Sequence, residues 1–334
     1  MPAVFIAGLL AAGLGFALPA QAASDRAVVR TAPSLHKTAT IALGSTSNIF
    51  KNIFTQAPDG AVFYSRGSVV YVQTGSAAPQ VALHAGRAVM ALTASSSKLF
   101  VQTGLTVTEY SRSGGAKIRH WTLTSPVTPI TIAGLLVVGQ TLWSWTDWGT
   151  DSSGFEFARL SRINTTAATV HVVDKRAYPV NVAANSSGVY FEDARGSKSL
   201  GYLVHVTPSG GVHARRGPVG ALLALAGGRL DQMSFHTNGH QYLDTYSTTT
   251  LRPLSSAQIS DNDRMFAGTG LGLIVLNEPC THLVCAKATV SKLATNGSRS
   301  GTLTASNAFS VLTGRDGAVV TVSHGHMSLV RIAS

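Results

Sequence analysis

The sequence predicts an all-β domain built from one repeated unit of four short antiparallel strands. Three observations support this prediction. Apolar residues make up 45% of the chain, yet they occur in short runs separated by Gly, Ser, Thr and Asn, which is typical of strands and turns. No helical periodicity follows the first twenty-odd residues. The same order of strands and turns returns at intervals of about 37 to 48 residues along the chain.

The clearest copy of the unit begins near Gly86. Its four predicted strands cover residues 87–92, 98–103, 105–111 and 117–123, and turns rich in Ser and Gly separate them. The copies begin near residues 49, 86, 129, 178, 219, 264 and 307. The turns between the first and second strands also recur, for example as Pro58-Asp59-Gly60, and glycine supplies the positive φ that tight turns need. One unit is too small to bury both of its faces, so we expect neighbouring units to cover each other.

The last copy contains only three predicted strands, and residues 38–43 near the other end of the chain offer the missing fourth strand. A sheet made from both ends of the chain would close a ring and remove an exposed edge. This arrangement resembles the β-propeller superfamily, with the general layout of WD40 and quinoprotein propellers. The resemblance covers nearly all of residues 23–334 as a single domain with seven blades, while six or eight blades remain alternatives.

No motif of a particular propeller family accompanies this resemblance. The Gly-His and Trp-Asp pairs of WD repeats are absent at blade spacing, and so are the Asp box of sialidase-like propellers and the tryptophan motif of quinoproteins. The superfamily carries hydrolases, lyases, lectins and protein-binding platforms, so the resemblance implies a fold and no particular activity. We expect no cofactor.

The first 22 residues are predicted to be a secretory signal peptide. An apolar stretch from Ala3 to Leu18 precedes Ala20-Gln21-Ala22, a small-x-small cleavage site. No Lys or Arg precedes the stretch, which departs from the usual pattern, and a membrane anchor is the alternative. Because no later segment is long and apolar enough to span a bilayer, we expect the mature protein to be secreted or associated with the cell envelope.

The chain is strongly basic, with a formal net charge of +11 and an isoelectric point near 10.0, although only 12% of its residues are charged. This balance favours anionic partners such as wall polymers, acidic glycans and nucleic acid. However, the cations are scattered and form no run of five or more. The pattern therefore predicts no specific nucleic-acid site.

The two cysteines, Cys280 and Cys285, lie close together in the chain. A pair this close in an exported protein predicts a disulfide bond. A metal site that uses the intervening His282 is the alternative, but zinc normally takes four ligands and the chain has no further cysteine.

The loops between the second and third strands of each predicted blade vary most in length, and they should emerge on one face of the ring. Such loops on a rigid scaffold are typical of binding surfaces. Trp143 and Trp145 share a strand face and should pack between blades, whereas Trp148 falls in a predicted loop beside acids and could stack on a sugar. The predicted ligand-binding residues of this face are Asp147, Trp148, Asp151, Glu192, Asp193, Arg195, His236, His240, His282, His324 and His326.

Two functions fit these residues. The first is a non-catalytic binding module for an extracellular glycan, an anionic wall polymer or a protein. The alternative is an extracellular hydrolase or lyase that uses the same face. It would be metal-assisted through His236, His240, His324 and His326, or would use paired carboxylates among residues that include Glu278. A structural ring within an envelope assembly is a third possibility, and it would carry a broad apolar patch on one rim.

Overall fold

The fold is taken from a computed structural model of the chain. It describes residues 35–48, 52–125, 133–150, 156–167, 169–193, 200–218, 220–278, 280–281, 284–285, 288–305, 308–312 and 317–334.

Blades 1 and 2 are four-stranded antiparallel sheets whose strands follow each other in chain order. Blade 1 consists of β2 (Phe54–Gln56), β3 (Val62–Arg66), β4 (Val69–Gln73) and β5 (Gln80–His84). Blade 2 consists of β6 (Ala91–Ala94), β7 (Lys98–Thr103), β8 (Thr106–Ser111) and β9 (Lys117–Thr122). Glycines with positive φ stand at the tight turns between strands, as at Gly67 (62°) and Gly104 (58°), where a side chain would be strained.

Blades 3 and 4 share one long strand. They consist of β10 (Ala133–Val138), β11 (Thr141–Thr150), β12 (Glu156–Asn164), β13 (Thr169–Asn185), β14 (Gly188–Asp193), β15 (Leu200–Val206) and β16 (Val212–Pro218). The first part of β13 is the outer strand of blade 3, and its second part is the inner strand of blade 4. Ala177 is the point of transfer, because it pairs with Ala158 of β12 and also with Asp193 of β14.

Blades 5 and 6 return to separate four-stranded sheets. Blade 5 consists of β17 (Gly220–Ala226), β18 (Arg229–Phe235), β19 (Gln241–Ser247) and β20 (Pro253–Gln258). Blade 6 consists of β21 (Asp263–Thr269), β22 (Gly272–Asn277), β25 (Thr289–Leu293) and β26 (Arg299–Thr304). A small hairpin of β23 (Cys280–Thr281) and β24 (Val284–Cys285) lies between the second and third strands of blade 6.

Blade 7 contains both ends of the described chain. Its strands are β27 (Ala308–Leu312), β28 (Gly317–Ser323), β29 (His326–Ala333) and, on the outside, β1 (His36–Ser45). The pairing of β1 with β29 runs from His36 opposite Ala333 to Ser45 opposite His326. The prediction that residues 38–43 close the last blade is therefore confirmed.

The seven blades form a closed ring. The innermost strand of each blade contacts the innermost strands of both neighbouring blades, and the contact of β27 with β2 completes the circle. The described residues contain no helix. The predicted all-β fold with seven four-stranded blades is confirmed, and the alternatives of six or eight blades are wrong.

The hydrophobic core is divided among the spaces between blades. One cluster joins Phe63 and Val70 of blade 1 to Leu99 and Val101 of blade 2, and the same arrangement recurs around the ring. Burial of such side chains supplies the main favourable free energy of folding. The inner strands also approach very closely, since a Cβ atom on Gly268 of blade 6 would lie 1.7 Å from the carbonyl oxygen of Leu225 in blade 5. Only glycine fits at that position.

Candidate functional site

The loops between second and third strands lie beside the connections that join successive blades. In five blades, the residue that follows the outer strand donates a backbone hydrogen bond to the carbonyl group at the start of the third strand or just before it. These bonds are Ala85 N to Ser68 O, Leu123 N to Leu105 O, Ile259 N to Gln241 O, Ala305 N to Ala288 O, and Thr46 N to Gly325 O. Both sets of loops therefore share one end of the ring, which we call the loop face.

The third blade differs from the sequence prediction at this face. Asp147 and Trp148 were predicted to lie in a loop, but both belong to β11, which stays paired with β12 as far as Thr150 opposite Glu156. A register shift between Asp147 and Gly149 keeps the ladder continuous there. Of Asp147 and Trp148 only the backbone is described, and Asp151, Arg195 and His282 lie outside the described residues.

Trp143 and Trp145 pack between blades, as predicted. Trp143 is buried against Val189 and Phe191 of blade 4, and Trp145 borders the same cluster. The ring of Trp145 lies so close to Gly134 that a Cβ atom there would be 1.9 Å from it. Both tryptophans are therefore part of the core.

Glu192 and Asp193 are buried at the end of β14, although the sequence placed them in an exposed loop. Their exposed fractions are 2% and 0%. Glu192 accepts a hydrogen bond from the side chain of Gln232 in blade 5, and Gln232 accepts one from the Tyr246 hydroxyl group at 3.1 Å. Burial, followed by the nearby carboxylates of Asp244 and Glu192, raises the pKa of Tyr246 to about 12, against the opposing effect of Arg215. Glu192 therefore joins two blades, and the prediction that it lies in an exposed loop is wrong.

His236 is held inside the loop of blade 5 by a buried carboxylate. Its Nε2 atom lies 2.9 Å from Asp244 Oδ2, which also accepts a hydrogen bond from Ser234. The imidazole ring stacks on Tyr242 with 3.9 Å between ring centroids. Backbone hydrogen bonds between His236 and His240, and from Gly239 to His236, close the turn. The loop is therefore rigid, and it leaves Phe235 half exposed at its base.

His240 has a carboxylate partner of its own. Its Nδ1 atom lies 2.9 Å from Asp261 Oδ2, in the connection to blade 6, while Asp261 Oδ1 accepts a hydrogen bond from the backbone of Gln241. The hydrogen bond from Gln241, followed by that from His240, lowers the pKa of Asp261. His236 and His240 thus contact two different acids.

His324 and His326 stand on the loop face of blade 7, and both are exposed. His324 has a positive φ of 50° and its Nδ1 atom lies 3.0 Å from Ser323 Oγ. Glu278 is half buried, and its backbone amide donates to Asn262. Among the described residues there is no group of three His, Cys, Asp or Glu side chains that could hold a metal ion.

The backbone brings the two cysteines together. Cys280 and Cys285 are direct partners across the β23–β24 hairpin. This pairing places their Cα atoms within the range that a disulfide can span. Because their side chains are not described, the disulfide stays a prediction.

The distribution of charge between the interior and the surface is a feature that the sequence did not reveal. Of the ten acidic side chains that the structure describes, six are buried, whereas none of the sixteen described Lys and Arg side chains is buried. The buried acids are Glu109, Glu192, Asp193, Asp231, Asp244 and Asp263. The described part of the surface is therefore predominantly cationic.

Hydrogen bonds and ion pairs stabilise these buried acids. Asp263 accepts from Arg299 at 2.5 Å and from Asn277 at 2.9 Å. Asp231 accepts from Thr245 at 2.9 Å, and Arg229 lies 3.2 Å away, yet burial still raises the pKa of Asp231. A buried charge needs such partners.

Two of the exposed cations lie on the outermost strands of their blades. Lys117 stands on β9 and Arg215 on β16, and exposed histidines, His120 and His213, flank them.

No helix in the described part of the chain is long and apolar enough to cross a membrane.

A pocket of about 330 Å³ lies between blades 2 and 3. It is lined by turns that join first to second strands and third to fourth strands, and not by the loops of the loop face. It contains Lys98, Glu109 and Arg119, which were not among the predicted site residues. Glu109 and Arg119 are direct partners across β8 and β9. Their register is the signal that could have identified the pocket, since opposite charges at facing positions of neighbouring strands attract each other.

No protein-family model matches the sequence, and no curated protein matches it at a significant level. Solved structures do show similarity. A chain in the crystal structure of a mitotic checkpoint complex gives a TM-score of 0.58 at 12% identity, covering 98% of this chain and 100% of that chain. The β-propeller domain of Cps50 (Swd1) from Myceliophteria thermophila gives 0.58 at 11% identity, covering 89% and 99%.

A third structure is PorZ, a bacterial surface component of the type-IX secretion system of Porphyromonas gingivalis. Its TM-score is 0.51 at 12% identity, and the match covers 89% of this chain and 39% of that chain, so this chain spans about two fifths of the length of PorZ. At these identities the similarity concerns the fold alone. The geometry and the comparisons together show that the chain has the seven-bladed β-propeller fold.

Proposed function

We propose that this protein is an exported, non-catalytic binding propeller whose ligand is an anionic extracellular polymer, such as an acidic glycan or a wall polymer. The observation that supports this proposal is the separation of acidic from basic side chains. Six described acids are buried, while every described Lys and Arg side chain reaches the surface. A cationic surface attracts polyanions over about 8 to 10 Å at physiological salt.

A polymer suits this surface better than a small anion does. Lys117 and Arg215 stand on different blades, and a single exposed ion pair contributes only about 0.5 kcal/mol. A long ligand can contact many such cations at once, so that weak contacts add up to measurable affinity.

Export is the second part of the proposal. The predicted signal peptide at residues 1–22 and the predicted disulfide between Cys280 and Cys285 support a secreted or envelope location. Polyanionic polymers are abundant there, and nothing in the proposal requires chemistry by the protein itself.

Binding to immobilised polygalacturonate and dextran sulfate, with neutral dextran as the reference, tests this function. We expect binding to both polyanions, none to dextran, and a steep loss of affinity as salt is raised. The double variant Lys117→Glu/Arg215→Glu should bind about fivefold more weakly or worse, because two attractive contacts become repulsive. The matched control Lys117→Arg/Arg215→Lys keeps both charges and should bind like the wild type.

Equal affinity for dextran and the polyanions, or affinity that does not change with salt, would contradict the proposal. So would an acidic protein that binds tightly while both polyanions fail, since the partner would then be a protein.

A further inference from the structure

The pocket between blades 2 and 3 is formed by three turns. They are the Ser95–Ser97 turn of blade 2, the Gly139–Gln140 turn of blade 3, and the turn of blade 3 that contains Thr165 and Thr166. Phe100 and Glu109 from the middle strands of blade 2 also line it. The volume of about 330 Å³ is at the small end of ligand-binding pockets, which suits one or two sugar units.

The charges in this pocket leave it cationic. Glu109 is nearly inaccessible, with 2% of its side chain exposed, and it contacts both Lys98 and Arg119. Lys98 and Arg119 remain 36% and 38% exposed. Two cations against one carboxylate leave a formal charge of +1, and the part of each cation that faces solvent can meet a further anion.

Both cations keep hydrogen-bond donors for a ligand. The Lys98 ammonium group has three N–H donors, and one contact is made to Glu109. Arg119 uses Nε near Glu109 and Nη1 in a 2.6 Å hydrogen bond to the carbonyl oxygen of Thr165, which leaves donors on its remaining nitrogen. These donors are held in place before any ligand arrives, because their partners belong to the blade framework.

The rim of the pocket carries hydroxyl and amide groups in fixed positions. Arg112 donates to the carbonyl oxygens of Ser95 and Ser96 at 2.9 and 3.0 Å, which holds the serine turn. Thr166 donates to Gln140 Oε1 at 3.2 Å, so the NH₂ group of this exposed glutamine can donate outward. A fixed rim lowers the entropy that a ligand loses on binding.

From these features we infer that the pocket between blades 2 and 3 binds a sugar unit that carries an anionic group such as a carboxylate. Lys98 and Arg119 would bind the anionic group, while Gln140 and the hydroxyl groups of the rim would bind the sugar hydroxyls. This inference rests on the proposed function, since it identifies where one unit of an anionic polymer would be recognised.

Galacturonate, galactose and inorganic phosphate are the probes that test the pocket, with binding followed by NMR titration or calorimetry. Wild-type protein should bind galacturonate at least about tenfold more tightly than galactose or phosphate. Lys98→Gln should weaken galacturonate binding by about tenfold or more, and Gln140→Ala by about threefold. Gln258→Ala, on an exposed site of β20, is the control and should leave binding unchanged.

Removal of Lys98 leaves Glu109 with fewer cations, so that variant could lose stability. Gln140 lies at the exposed rim, and its replacement keeps the test decisive if Lys98→Gln does not fold.

Phosphate binding as tight as galacturonate binding would overturn recognition of a sugar. If polygalacturonate binds the wild type while galacturonate does not, the pocket inference falls and the proposed function stands. If galacturonate binds while neither polyanion does, the proposed function falls instead.

Discussion

The hydroxyl group of Tyr64, in blade 1, donates a hydrogen bond of 2.8 Å to the carbonyl oxygen of Leu43, in the strand that completes blade 7. This contact crosses the seam at which the ring closes. Both residues are buried, with exposed fractions of 1% and 2%. The seam is therefore held by a polar contact in addition to apolar packing.

Tyr64→Phe removes this hydrogen bond and leaves a buried carbonyl oxygen without its donor. We expect the free energy of unfolding to fall by about 1 to 2 kcal/mol in urea titrations. Tyr71→Phe is the matched control, since Tyr71 stacks on Tyr64 at 5.2 Å and its hydroxyl group makes no hydrogen bond among the described residues. Equal losses in both variants would contradict this role of the hydrogen bond.

The outer strand of blade 7 should be essential for stability. Leu43 packs with Val62 and Tyr64 of blade 1 and with Leu329 of blade 7. Leu43→Ala should lower the free energy of unfolding by about 2 to 5 kcal/mol, because it opens a cavity in that cluster. Thr40→Ala, an exposed position of the same strand, should change it by less than about 0.5 kcal/mol. A Leu43→Ala protein as stable as the wild type would show that the ring does not depend on this strand.

Glu192 should matter for stability and not for ligand binding. Glu192→Ala deprives the buried Gln232 amide of its acceptor, so thermal unfolding should reveal a loss of about 1 to 3 kcal/mol. Affinity for polygalacturonate at a temperature where the variant is folded should stay within about twofold of the wild type. A loss of affinity with unchanged stability would return Glu192 to the binding surface.

The protein should lose stability as the pH falls below about 6.5. His205 is 3% exposed, stacks on Tyr190 at 4.4 Å and lies 2.9 Å from the carbonyl oxygen of Ser187 through Nε2. Burial lowers the pKa of His205, and the neighbouring His213 lowers it further, against the hydrogen bond to Ser187. The unfolded chain therefore takes up a proton at a higher pH than the folded protein does, so acid favours unfolding between the two pKa values.

Urea titrations at pH 7.5 and pH 5.5 measure this effect. The difference in unfolding free energy between the two pH values should be smaller in His205→Phe than in the wild type, and His213→Gln, at an exposed position, should retain most of it. An unchanged difference in His205→Phe would assign the acid sensitivity to another group.

The loop face stays a prediction that mutagenesis can test. Alanine at Trp148 and Arg195 should weaken ligand binding while the melting temperature remains nearly unchanged, because the sequence predicts that both side chains belong to the binding surface. If binding survives both changes, the ligand does not contact this face.

The sequence predicted the blades well because the signals are local. Alternating apolar residues and glycine turns define each strand pair without reference to distant residues, which is why the boundary near Tyr178 matches the transfer point at Ala177. The site was harder to predict because the point at which a loop begins depends on how far the pairing of two neighbouring strands continues. Glu192 looked like a loop acid beside Gly and Ser, yet pairing with Leu203 extends its strand and buries it.

Contacts between distant residues escaped prediction for a related reason. His240 meets Asp261 only because the connection to blade 6 passes beside its loop. The pocket of Lys98 and Arg119 needs two turns from blade 3, which no periodicity within blade 2 can indicate. Sequence patterns report what each blade contains, while side-chain chemistry at the borders depends on how the blades pack.

The pairing of β1 with β29 has a consequence for how this molecule is made. Residues His36–Ser45 are synthesised before residues His326–Ala333, their strand partner among the described residues, which come nearly 300 residues later in the chain. The ring therefore stays open until residues His326–Ala333 have been translated, and residues His36–Ser45 cannot pair with them before that point.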